Sequence, residues 1–224
     1  PNEFDAFFWG VSATEAKLMD PQQRMFLQTA WHAVEAAGYA PRSGTPARTG
    51  VFAACGIDGY LIHHLDGGGL HDALDPGRWF LTETGSEKDY IATRVAYQLD
   101  LGGPAFTVNS ACSSGLVALA SAAAALRAGQ CDMAIAGAAS LTFPGNGYLY
   151  ADGLVASQDG HVRPFDADAS GTLFGDTVGA VVLKRLDDAL RDGDNVLSVV
   201  RGYDVTNDGR QKAGCVLFLS SLSS

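Results

Sequence analysis

Basic residues are scarce in this 224-residue chain: 15 Lys and Arg stand against 25 Asp and Glu, a net charge of −10. A nucleic-acid partner needs a basic footprint for phosphate, so none is expected. Long apolar runs are missing too; nothing reads as a signal peptide or a bilayer span, so no membrane partner is expected and a cytoplasmic location follows. Cysteine is sparse. Cys55, Cys112, Cys131 and Cys215 form no C-x-x-C pair and no Cys/His metal spacing, so neither a disulfide framework nor a metal site is expected.

What remains is a chain with 47% hydrophobic and 18% charged residues, enough for one sizeable core. Helical spacing runs from Met25 through Trp31 to Ala37, with Gly38 as a stop, and again over Tyr90 to Leu99. Val51 to Cys55 reads as a buried strand, and 64–88, rich in Gly, Asp and His, as a surface excursion. Strand 105–109, the Ala/Leu-rich helix 116–126 closed by Gly129, and strand Met133 to Gly137 read as a β-α-β unit with a right-handed crossover and parallel strands. Segment 145–160 is loop-rich. Val178 to Arg185 and Val196 to Arg201 are strand candidates, with a helix-like Leu186 to Leu190 between them. Alternating strands and helices predict a layered α/β fold.

The most informative run is Val108-Asn109-Ser110-Ala111-Cys112-Ser113-Ser114-Gly115-Leu116. An apolar strand stops at small polar residues and a long helix follows at once. A thiol at that junction meets unpaired backbone N–H groups and the positive end of the helix dipole, which favour the thiolate. The same N–H groups, that of Cys112 included, suit an oxyanion formed when a carbonyl is attacked. Ser113, Ser114 and Gly115 are small, so a substrate could come close to the backbone. The competing reading is a small buried filler, common for free cysteine. A cysteine hydrolase is a further alternative, but no histidine is close in sequence to serve as its base.

Around that thiol the chain resembles the β-ketoacyl synthases, the condensing domains of polyketide and fatty-acid synthases. Phe4-Asp5-Ala6-Phe7-Phe8-Trp9-Gly10-Val11-Ser12 is similar to F-D-x-x-F-F-G-I-S. Met19-Asp20-Pro21-Gln22-Gln23-Arg24 matches M-D-P-Q-Q-R, and Trp31 to Gly38 matches W-E-A-L-E-x-A-G with His32 in place of Glu. Arg163 to Ala167 and Gly175 to Lys184 resemble R-P-F-D-A and G-E-G-x-G-x-V-V-L-K. The blocks lean towards the modular polyketide type and cover about residues 4–214. The resemblance implies a thiolase-like fold, here mostly its N-terminal half, and an acyl-cysteine at Cys112. It implies no directly bound cofactor; substrates ride on the phosphopantetheine of an acyl carrier protein. It implies decarboxylative condensation with a malonyl-type extender, and a homodimer in the full-length parent, its surface near 105–110.

The family's two helper histidines lie in H-G-T-G-T and N-I-G-H motifs. His32, His63, His64, His71 and His161 sit in neither. The expectation is therefore an N-terminal part of the domain over 1–214 with an atypical tail, 215–224, inactive in condensation. That tail (a frameshift, a misjoined exon or a fragment's end) carries an apolar, aggregation-prone Val216 to Leu219. The alternative is a non-catalytic product with at most a subunit-pairing role. Arg42 and Arg48 are the basic candidates for carrier docking, against the plainer reading of solvated surface charge.

Overall fold

A computed structural model describes residues 3–65, 75–143, 145, 147–207 and 209. The chain divides into two compact units, Pro1–Pro144 with Asp176–Tyr203, and Gly145–Gly175 with Asp204–Ser224.

The first unit begins with two helices set by their caps. Ser12 Oγ accepts from Glu15 N at 3.1 Å and opens α1 (Ala13–Leu18). Asp20 accepts from Gln22 N at 2.7 Å and opens α2 (Pro21–Ala36), with Pro21 where its missing N–H costs nothing. Expectation placed this helix from Met25; the Asp-Pro cap adds its first turn. Phe26, Leu27, Ala30 and Val34 form its buried stripe. Helix α3 (Pro76–Ser86) follows, then α4 (Tyr90–Leu99), closed by Asp100 in the left-handed region at φ 55°.

Four strands form one sheet: β1 (Thr49–Cys55), β2 (Ala105–Thr107), β3 (Met133–Ser140) and β4 (Thr177–Lys184), in the order β2-β1-β3-β4. The first three are parallel and β4 runs antiparallel to β3. Helices α2 and α4 cover one face around Phe26, Val51, Ile91 and Ile135. On the other face α5 (Ser114–Arg127) lies on Phe52, Ala134 and Ala136. Its inward residues Ala118, Ala122 and Ala125 are small, which lets the helix axis approach the sheet closely. Arg185 Nη1 closes that helix by donating to Leu126 O at 2.9 Å and Cys131 O at 2.8 Å. Helix α6 (Leu186–Asp192) ends at Gly193, and Lys184 Nζ ties it to β4 through Asp192 and Asp194.

The β2-α5-β3 unit is parallel as expected, with β1 lying between its two strands because α5 crosses over β1. Two expectations change. Residues 196–201 form no strand. They are irregular and exposed, since β4 pairs with β3 alone and no described strand offers them a ladder. Within 64–88, residues 76–86 are a helix rather than a surface excursion. Gly85 brings α3 onto α1, where an added Cβ would stand 3.1 Å from Leu18 O and 3.1 Å from Met19 Cα. Residues 66–74 of that segment, His71 among them, and the tail 215–224 lie outside the described residues.

The second unit has little regular structure. Ala156 bridges to Thr172, and buried Ser157 organises the turn through Asp159, Ser170 and His161 N. Arg163 Nη1 pairs with Asp159 at 2.8 Å.

Candidate functional site

The Cys112 turn is built from both sides. Val108 N donates to Ala53 O at 2.7 Å, which carries β2 past its last ladder pair to the carboxyl end of the sheet. There Ala111 takes φ 52°, a left-handed conformation that a side chain resists and its surroundings must impose. Ser114 Oγ imposes it: it accepts from Ser110 N at 2.8 Å and donates to Ala111 O at 2.7 Å. Ser113 Oγ adds a bond to Ser110 O at 2.8 Å. Cys112 stands on the single 3₁₀ turn Ala111–Ser113 that feeds α5, and it is exposed. Among the described residues no side chain caps the N-terminus of α5, which leaves its N–H groups open to an incoming negative charge.

Ser114 and Gly115 do a different job from the one read in the sequence. Ser114 is buried inside the turn, and Gly115 faces β3, where an added Cβ would meet Ala138 Cβ at 3.4 Å. Their small size serves packing; Ser113 alone of the three is exposed.

The other described cysteines face different chemistry. Burial, with Asp20 and Asp58 nearby, pushes the Cys55 thiol up to about 12, and burial also raises Cys131. Cys215 lies outside the described residues. His32, His63 and His64 are exposed, and His64 packs its ring on Tyr60 at 4.7 Å. His161, in the second unit, bonds to Asp159 O through Nδ1 at 2.9 Å. His32, His63 and His64, which share the first unit with Cys112, make no hydrogen bond to it. Arg42 lies over the rings of Phe8, Trp9 and Trp31 and donates to Gln98 O at 2.9 Å; Arg48 pairs with Asp132 and bonds to Gly129 O. Both guanidinium groups thus already have partners within the chain.

A polar cluster at the carboxyl end of β1 has only the Asp20–Arg24 block as its sign in the sequence. Asp20 Oδ2, Arg24 Nε and Asp58 Oδ1 are buried there with no hydrogen-bond partner among the described residues. Burial pushes Asp58 up to about 6; Glu87, Asp20 and Asp89 add to the rise and Lys88 opposes it. The unfolded carboxyl releases its proton near 3.8. Between these values the folded chain binds more protons than the unfolded one, so stability falls as pH rises from about 4 to about 6 and is then level. Asp58→Asn is expected to match the parent near pH 4. At about pH 7.5 it should exceed it by about 1–2 kcal/mol, less than full linkage because the carboxyl is partly solvated. Urea unfolding at the two pH values checks this; equal stability at the higher one refutes it.

A family model, β-ketoacyl synthase, N-terminal domain, matches residues 1–189. A component of the phenolphthiocerol/phthiocerol polyketide synthase of Mycobacterium tuberculosis is 42% identical over 219 residues, covering 95% of this chain and 15% of that protein. The hybrid PKS-NRPS synthetase TAS1 of Gloeophyllum trabeum is 42% identical over 215 residues, 94% of this chain and 13% of its own length. Among solved structures, ketosynthase twelve of the bacillaene polyketide synthase of Bacillus amyloliquefaciens superposes with a TM-score of 0.85. It is 34% identical, over 94% of this chain and 36% of that one. The module 1 ketosynthase of the bacillaene synthase from the same species gives 0.78 and 36%, over 94% and 35%. The chain thus spans 15% or less of the two synthases named here. No described helix is long and apolar enough to cross a membrane. The ordered sequence blocks, the layered sheet with its thiolase-like relatives and the matched domain lead to one assignment: this chain belongs to the β-ketoacyl synthase family.

Proposed function

We propose that Cys112 is the acyl acceptor of a ketosynthase in polyketide assembly, and that this chain carries the acyl-accepting part of its reaction. The observation that carries the reading is the turn itself: a strained Ala111, pinned by Ser114, holds an exposed thiol at the uncapped start of α5. The Cys112 thiolate attacks the carbonyl of an acyl thioester on a carrier's phosphopantetheine arm. The oxyanion is held by backbone N–H groups, that of Cys112 among them. Collapse expels the carrier thiolate, which takes up a proton, and leaves acyl-Cys112. In condensation a malonyl-type extender loses CO₂, its carbanion attacks the acyl carbon, and the Cys112 thiolate leaves. The histidines of this chain lie outside the H-G-T-G-T and N-I-G-H motifs that help decarboxylate the extender, so it is expected to stop at the acyl-enzyme.

An acyl carrier protein is the partner this chemistry requires, and a reducing cytoplasm suits a free thiol. A second copy fits along β2. This strand is one edge of the sheet, with no strand paired on its outer side among the described residues and Phe106 47% exposed, a geometry that invites another strand.

Intact mass after incubation with an acyl-pantetheine thioester tests the reading. The parent is expected to gain one acyl group and Cys112→Ala none; an equal gain in both removes Cys112 from the mechanism.

A further inference from the structure

Gln22 is 2% exposed, and its amide reaches the carboxyl end of the sheet. Its Oε1 accepts from Gly56 N and from Leu141 N, each at 3.1 Å, and its Nε2 donates to Ile57 O at 3.2 Å. Gly56 is the first residue past β1, and Leu141 the first past β3. Gln22 thus ties the two strand ends together where their loops begin, beside the bond from Gly56 N to Ala139 O at 2.9 Å. The fit leaves no slack, because a Cβ on Gly56 would lie 2.6 Å from Gln22 Oε1 and 3.2 Å from Ser140 Oγ.

Open sheets with strand order 2-1-3 bind ligands in the crevice outside the carboxyl ends of β1 and β3. The Cys112 turn stands at the same edge, since Val108 is bonded to β1 and Gly115 packs on β3. Ile57, on the loop that Gln22 holds, keeps its apolar side chain exposed. We propose that Gln22 is a positioning residue for the acyl chain: by fixing the β1/β3 crevice it sets which acyl lengths reach Cys112. This rests on the acyl-cysteine reading and goes beyond it. The bulk of α2 does not require the amide, because Phe26, Leu27, Ala30 and Val34 already fasten that helix to the sheet.

Gln22→Met keeps the volume and loses all three hydrogen bonds; Gln22→Asn keeps the amide but is one methylene too short to span them. The full chain and both variants are acylated with acetyl- and octanoyl-pantetheine, and Cys112 is alkylated with iodoacetamide. Alkylation and acetyl transfer should stay within about threefold of the parent. Octanoyl transfer should fall about tenfold or more, the scale expected when a bound chain is misplaced by an ångström or so. An unchanged octanoyl-to-acetyl ratio in Gln22→Met overturns the proposal, and if that variant does not fold, the same ratio in Gln22→Asn decides it. Failure of the parent to take any acyl group removes the Cys112 reading and this role with it.

Discussion

Gly137→Ala is expected to abolish the fold. Gly137 sits in β3, paired with Ala53 on β1 and Ala180 on β4, and it faces α2. A Cβ there would run into Gly179 O, stand 2.9 Å from Ala180 Cα and stand 2.9 Å from Phe26 Cε2. Two of those three atoms are backbone of a paired strand, and the third belongs to a fully buried ring. Ordinary overpacking costs about 1–3 kcal/mol because side chains can shift aside. Here relief requires moving β4 or α2, so about 4 kcal/mol or more is expected, comparable with the whole stability of a domain. Gly179→Ala is the internal control. It lies one register step away on β4, and an added Cβ there meets nothing within 4 Å. Circular dichroism and urea unfolding of the two variants check the contrast. A folded Gly137→Ala within about 1 kcal/mol of its parent contradicts the packing described for this strand pair.

What the sequence revealed and what it hid divide along the range of the interactions involved. Helix α4 runs over the residues expected of it, Tyr90–Leu99, because its apolar spacing is a local pattern and Asp100 closes it. Strands β1 and β4 were legible for the same reason, and so was the Cys112 turn, where a strand, a run of small residues and a helix follow in order. The 3₁₀ turn and the left-handed Ala111 left no mark of their own; Ser114 creates them through hydrogen bonds that composition does not encode. Helix α3 escaped because its buried residues are Thr82, Gly85 and Ser86, small groups with no apolar period. Segment 196–201 differs in the opposite sense. Its β-branched residues favour a strand, but a strand needs a neighbour, and among the described residues it has none. The role of Gln22 was invisible for a third reason: its partners at 56, 57 and 141 are distant in sequence, and only the order of the strands brings them together.

Arg94→Met is expected to cost about 3 kcal/mol, the other large effect, and for an electrostatic rather than steric reason. Arg94 projects from α4 with its side chain 13% exposed, and its fork reaches three other helices. Nε donates to Gln23 Oε1 on α2 at 2.8 Å, Nη1 to Glu15 Oε1 on α1 at 3.2 Å, and Nη2 to Thr84 O on α3 at 2.9 Å. Gln23 spends its own Nε2 on Glu87 O at 3.0 Å, so it cannot turn to satisfy itself. Methionine would fill the space yet leave Gln23 Oε1, Thr84 O and the Glu15 carboxylate without that donor. Lysine would keep the charge but cannot span three acceptors set out for a planar fork, so Arg94→Lys should recover less than half of the loss. For a chain of this size about 3 kcal/mol corresponds to a fall in melting temperature of roughly 6–12 °C. The damage should also reach the thiol. The α3–α4 corner that Arg94 steadies ends at Lys88, whose carbonyl accepts from Thr107 Oγ1 at 2.8 Å, at the end of β2. Cys112 acylation should therefore slow in Arg94→Met even well below its melting point. If the melting temperature drops while the acylation rate stays at the parent value, the corner is a purely structural brace and the Cys112 turn keeps its shape without it.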